Sequence, residues 1–211
     1  MNWHNVETAQ QARDALAVVN RYGSPSDEVS MTVSRGELEK GYVEVAATYG
    51  NLLAQVLRRC GSRLVAHQLD ARTRSGRIRV DARAFRSLAY AFKPVGQGSD
   101  PQVASLIDEL AGRGGKWDEI NLTVCPELVE ATGQIPVWAT HGAYAAELLR
   151  RAGAGLLGYD LNTDVDGGMC IHMWFRENVF RSLPYAFKPV DVKSTPMSEE
   201  QKTRLRALNE R

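Results

Sequence analysis

FRSLAYAFKPV at residues 85–95 returns as FRSLPYAFKPV at residues 180–190, and the two differ only where Ala89 stands against Pro184. A match of that length lies outside chance, so the chain reads first as a tandem duplication. Upstream the match continues more weakly. DEVSMTV at 27–33 aligns with DEINLTV at 118–124, Thr48-Tyr49-Gly50 with Thr140-His141-Gly142, and LRRCGSRL at 57–64 with LRRAGAGL at 149–156. The copies are therefore residues 6–95 and 100–190, joined by the small flexible residues Gly96-Gln97-Gly98-Ser99 and followed by a tail at 191–211.

Each copy has its own periodicities. Residues 6–22 predict a helix with Ala12, Leu16 and Val19 on one side, closed by Gly23 and Pro25; its counterpart spans 101–111, with Pro101 in the first turn and Gly112 and Gly114 as stops. Alternating β-branched runs at 28–34 and 119–125 predict strands. A second helix is expected at 45–60, with Leu52, Leu53, Val56 and Leu57 together, and at 143–152 with Leu148 and Leu149. Gly61 and Gly153 end these helices, and Arg58-Arg59 and Arg150-Arg151 suit the negative end of the dipole. Hairpins follow: 64–72 with 77–81 around Ser75-Gly76, and 156–162 with 169–175 around Asp166-Gly167-Gly168. The expected fold is α/β (α+β): two tandem copies of an αβαββ unit related by a pseudo-two-fold axis, with helices packed on sheet. That strand-helix-strand-strand order resembles, as topology without a shared residue motif, the duplicated module of the GyrI-like ligand-binding family.

With 211 residues, 44% of them hydrophobic, the chain suffices for one sizeable core or two small ones. Cys60, Cys125 and Cys170 stand far apart without a CxxC, which predicts reduced thiols and no disulfide framework. Neither a basic leader followed by an apolar stretch nor a run of some 18 apolar residues is present, so a cytoplasmic protein with no membrane contact is expected. The net charge of +1 conceals polarity. Residues 6–95 hold 14 Lys and Arg against 9 Asp and Glu, whereas residues 100–190 hold 7 against 12.

Three surfaces are candidates for function. In the first hairpin Arg72 and Arg74, and then Arg77 and Arg79, sit two residues apart and so share a strand face, an arrangement able to follow a phosphate backbone. In the repeated segment Arg86 and Lys93, with Arg181 and Lys188, supply cations for an anion, while Ser87, Tyr90, Ser182 and Tyr185 supply orienting hydroxyls. The competing reading makes Phe85, Leu88, Tyr90 and Phe92, with Phe180, Leu183, Tyr185 and Phe187, a wedge between sheet and helices. Pro184 fits only in a first turn or an irregular stretch. The third surface is the strand from Met169 to Phe175, apolar on both faces and suited to burial or to a homo-oligomer. His172, between Trp and Cys in alternation, is expected to be packed in that strand.

Catalysis and metals find little support. The run from Asp160 through Asn162, Asp164 and Asp166 to Gly167 imitates a calcium loop, but Met173 stands where the bidentate acid belongs. Cys170 and His172 have no second close pair for zinc. Asp27-Glu28 and Asp118-Glu119 enter strands, where a turn is the ordinary use of acids and an acid/base pair the alternative. None of GxSxG, GxxxxGK[ST], HExxH or GxGxxG occurs, and Gly112-Arg113-Gly114-Gly115 precedes a strand instead of opening a helix. No catalytic residue, metal or cofactor is expected, and an enzyme is the least supported class. In the tail, Ser198 and Gln201 predict a capped polar helix. The leading expectation is a non-catalytic binding module for DNA or RNA; the alternatives are a pocket between the copies for an anionic metabolite or nucleotide, and an assembly subunit.

Overall fold

The computed structural model describes residues 2–23, 27–112, 118–163 and 169–189. The acidic run at 164–167, the second hairpin's turn, Pro25, Gly114 and the tail at 191–211 lie outside the described residues. Among the described residues six α-helices pack with one nine-stranded antiparallel open sheet.

The elements run β1 (His4–Asn5), α1 (Ala9–Arg21), β2 (Val29–Ser34), α2 (Arg35–Glu39), β3 (Tyr42–Thr48), α3 (Asn51–Cys60), β4 (Leu64–Asp70), β5 (Ser75–Asp81), α4 (Pro101–Gly112), β6 (Glu119–Val124), α5 (Pro126–Thr132), β7 (Gln134–Thr140), α6 (Ala143–Ala152), β8 (Leu156–Thr163) and β9 (Met169–Arg176). The sheet order is β1-β4-β5-β3-β2-β6-β7-β9-β8. At its centre β2 meets β6, from Val29 opposite Val124 to Ser34 opposite Glu119. Outward from that pair the strands follow as β3, β5, β4 on one side and β7, β9, β8 on the other.

The expected αβαββ unit lacked two elements on each side. Residues 45–48, expected to begin a helix, end strand β3, and β7 stands at the corresponding place. Tyr42, Val43, Val45 and Ala47 are buried while Glu44 and Ala46 are half-buried, a strand alternation that the helix-forming Ala46-Ala47 pair obscured. The helix begins only after Gly50. Its end at Cys60, and the end of α6 at Ala152, agree with Gly61 and Gly153 as stops.

One face of the sheet carries the core. Val29, Met31, Val33, Val45, Ile78, Ile120, Leu122, Val137, Ile171, Met173 and Phe175 are buried together with Val19, Leu53, Leu57, Leu110 and Leu149 from the helices. At about 1.5–3 kcal/mol for each large side chain removed from water, this layer is the main stabilising force.

Both long central helices start on a borrowed carboxylate. Asp27 Oδ1 accepts from Leu52 N at 2.9 Å, and Asp118 accepts from Ala143 N and Tyr144 N at 3.0 and 3.3 Å. The acids that open the β2 and β6 segments are thus helix caps delivered from another part of the chain. This uses Asp27 and Asp118 structurally, in place of an acid/base pair. Gly50 and Gly142 precede the helices because a Cβ at either would press into the capping carboxylate.

The two FRSL segments cross each other. In each, a 3₁₀ turn, Leu88–Ala91 or Leu183–Ala186, is flanked by extended residues, and Pro184 stands at its first positions as required. Phe85 bridges Phe187 and Phe92 bridges Phe180 in antiparallel fashion. Arg86 N donates to Ala186 O at 2.8 Å, Arg181 N to Ala91 O at 2.7 Å, Lys93 N to Val179 O at 2.7 Å and Lys188 N to Ala84 O at 2.7 Å. Rings Phe85–Phe187 and Phe92–Phe180 meet edge to face at 5.8 and 5.4 Å.

Replacing Phe92 or Phe187, both fully buried, by Ala should cost about 3–5 kcal/mol in chemical denaturation. Gly142→Ala should cost about 1–3 kcal/mol. Combined with Asp118→Ala, it should cost less than the sum of the two single changes, because they disturb one cap.

Candidate functional site

Alternate residues of the strands point away from the helices and form a second face. At its centre the hydroxyls of Ser30 and Thr123 lie 3.1 Å apart, and Asn121 Nδ2 donates to Thr32 Oγ1 at 2.6 Å. These short polar side chains satisfy one another across the β2–β6 seam and leave the middle of the face low and hydrophilic.

On the β5 side the four hairpin arginines divide. Arg79 Nε contacts Glu44 Oε2 at 3.3 Å, and the guanidinium lies 3.8 Å from the Trp3 ring centre and 4.4 Å from that of Tyr42. With its side chain 13% exposed, it cements β1, β3 and β5. Arg77 is 60% exposed and meets Glu44 through one nitrogen at 3.4 Å. Arg72 and Arg74 are in the turn beyond β4, not on a strand. Asp70 Oδ1 accepts from Arg72 N at 2.8 Å, holding its carboxyl below the ordinary range, and Arg74 takes a left-handed φ of 52°. The sequence-level ribbon of four aligned arginines is therefore two strand residues and two turn residues, because the strand stops at Asp70.

On the β9 side the face is aromatic. Trp138 stands opposite His172, and Pro136 opposite Trp174. The rings of His172 and Trp174 are 6.4 Å apart at 42°. His172 is exposed, so it is not a packed core histidine. Arg176, also exposed, ends the row opposite Gln134. Trp138 was missed as a site residue because residues 134–140 were not read as a strand, although Gln134, Pro136, Trp138 and Thr140 alternate there with Ile135, Val137 and Ala139.

The FRSL candidates lie on the helix side and do not join this face. Lys93 Nζ donates to Asn178 O, and Lys188 Nζ to Arg83 O at 3.1 Å. Ser87 Oγ donates to Glu147 Oε2 at 2.6 Å and Ser182 Oγ to Gln55 Oε1 at 3.2 Å. Arg86 and Arg151 flank Tyr90 at 4.0 and 4.3 Å, and Arg181 and Arg59 flank Tyr185 at 3.7 and 4.8 Å. Arg151 Nε and Arg59 Nε donate to Phe92 O and Phe187 O. The two serines and two lysines thus bond within the protein, and Arg86 and Arg181 lie over tyrosine rings.

The strand from Met169 to Phe175 is interior to the sheet, between β7 and β8, with Ile171, Met173 and Phe175 in the core of its own chain. Among the described residues no three His, Cys, Asp or Glu side chains gather as a metal site, and no helix is long and apolar enough to cross a membrane.

Surface cavities among the described residues include two beside the sheet. One of about 390 Å³ lies between the linker at 97–100 and the start of β8. The other, of about 340 Å³, lies on the open face over Ala46, bounded by Ser30, Thr48, Gln68, Ser75 and Arg77.

At the rim of this face Glu37, on α2, has its carboxyl raised above the ordinary 4.5 by burial and then by the charge of Glu44; Glu119 adds to this, while Lys40 and the Ser34 contact oppose it. A carboxyl that holds its proton more tightly when folded loses stability as pH rises from 4.5 through the folded value. Glu37→Gln should therefore raise the melting temperature at pH 7, with the gain shrinking as the pH falls through the folded value and gone once the pH is below 4.5.

No family model, curated protein or solved structure matches this chain.

Proposed function

We propose that the chain is a fused pair of related halves, residues 6–95 and 100–190, whose open sheet face binds single-stranded nucleic acid without catalysing a reaction. The duplication is supported by the repeated sequence together with the reciprocal strand order and the matched hydrogen bonds of the FRSL segments. One observation carries the binding reading. A sheet face across whose centre no α-helix is laid among the described residues presents exposed guanidinium groups in one half and Trp138, His172 and Trp174 in the other. A strand lying across such a face sets its phosphates against Arg72, Arg74 and Arg77 and stacks its unpaired bases on the indoles. Double-stranded nucleic acid hides its base faces and has no use for the second half.

Glu44 neutralises Arg79, so few phosphates are contacted. Affinity for an oligonucleotide should fall with salt at a log-log slope of about −2 to −3. Trp138→Ala and Trp174→Ala should each weaken binding roughly ten-fold. Fluorescence anisotropy measures both. Equal affinity in both Trp variants and in Arg77→Ala would exclude this surface.

A second reading, assembly, rests on strand β8. Among the described residues it is the edge strand next to β9, with Leu157 and Leu161 45% and 42% exposed, whereas β4 is covered by β1. Leu157→Lys with Leu161→Lys should convert an oligomer to a monomer in light scattering, and a wild-type monomer at every concentration rejects the reading.

A further inference from the structure

The open face is not equally filled in its two halves. Ala46 pairs with Ser30 on one side and Arg77 on the other, and Trp138 pairs in the same way with Asn121 and His172. The register position that carries an indole in the second half carries a methyl group in the first. Over that methyl group lies the cavity of about 340 Å³. This volume lies at the lower end of the range of small-molecule sites.

Its lining has the chemistry of a nucleotide site. Ala46, Ala47 and Gly76 make a smooth floor on which a flat ring can lie. The hydroxyls of Ser30 and Ser75 and the side chains of Gln68 and Glu28 stand around it, giving donors and acceptors to the edges of a heterocycle. Glu28 is an acceptor for an exocyclic amino group, the partner that carboxylates select on cytosine. Arg77 lines one side; it is 60% exposed and meets Glu44 through a single nitrogen, and a guanidinium suits a phosphate.

We propose that the cavity over Ala46 takes one unstacked nucleotide, its base over Ala46 and its phosphate at Arg77. The site depends on the strand-binding reading for its biological use. It sits beside the β2–β6 seam, across which the next bases reach Trp138 and Trp174. A strand is thereby read by one recessed pocket and a stacking platform.

The test uses the full chain and cytidine 5′-monophosphate as probe, followed by amide NMR shifts, together with an oligodeoxycytidine of about twelve nucleotides followed by anisotropy. The mononucleotide should shift the amides of Ser30, Ala46 and Arg77. Ala46→Trp, which places in the first half the residue that the second half carries, should abolish those shifts and weaken oligonucleotide binding about ten-fold. Gln68→Leu should weaken both while leaving the cavity volume nearly unchanged, which covers the case of an unfolded Trp variant. If the mononucleotide leaves those three amides unmoved, the pocket is overturned. The same holds if Ala46→Trp and Gln68→Leu bind both probes as the parent does. Shifts at the pocket with no oligonucleotide binding would sustain the nucleotide site and overturn the strand reading instead.

Discussion

The crossing of the two FRSL segments is the constraint on which the rest depends. Each segment follows the last strand of its own half and then lies against the other half, so that Phe85 touches Phe187 and Phe92 touches Phe180. The arginines that end α3 and α6 complete the lock. Arg59 reaches the carbonyl of Phe187 and Arg151 that of Phe92, and each also flanks the tyrosine of the segment it holds. A backbone carbonyl, a ring face and a planar cation must all fit, and a lysine in place of either arginine would keep the charge while losing the stack. A change in either segment alters the surface on which the other packs.

The opposite face of the sheet has no such demand, and there the halves part. Core-facing positions remain alike: Val45 and Ile78 in one half occupy the register of Val137 and Met173 in the other. On the open face Arg77 stands where the other half has His172, Arg79 where it has Trp174, and Glu44 where it has Pro136. Among the described residues α3 and α6 pack on one side of the sheet, so packing holds every second residue of the strands and releases the next. The +5 and −5 halves of the chain reflect this liberty in part.

How much of this could be read beforehand follows from which interactions are local. Pro184 in a first turn and Gly61 and Gly153 as helix stops were legible because each obeys a rule within a few residues. That Asp118 caps α6 from 25 positions away was not, since the cap is made only once the sheet brings the segments together. Strands β3 and β7 escaped because Ala46-Ala47 and Pro136 carry weak or contrary strand preferences, which pairing on both sides overrides. The fate of Lys93 and Lys188 was equally hidden. Sequence shows two repeated cations, and only the fold shows that each terminal amine meets a carbonyl of the other half.

Arg79 marks the division between the two kinds of arginine in this protein. Held by Glu44 and stacked between Trp3 and Tyr42, it ties the short β1 segment across the open side of the sheet. Two positions earlier on the same face, Arg77 is well exposed and shares the same carboxylate through one nitrogen. Glu44 gives one oxygen to each guanidinium, at 3.3 Å to Arg79 and 3.4 Å to Arg77, so the carboxylate alone does not separate them. Arg79, lying against the Trp3 and Tyr42 rings, becomes part of the fold, and Arg77 remains largely exposed beside the cavity over Ala46. Neighbouring arginines on one strand face are thus separated by whether aromatic rings stand beside them, and the shared glutamate treats them alike.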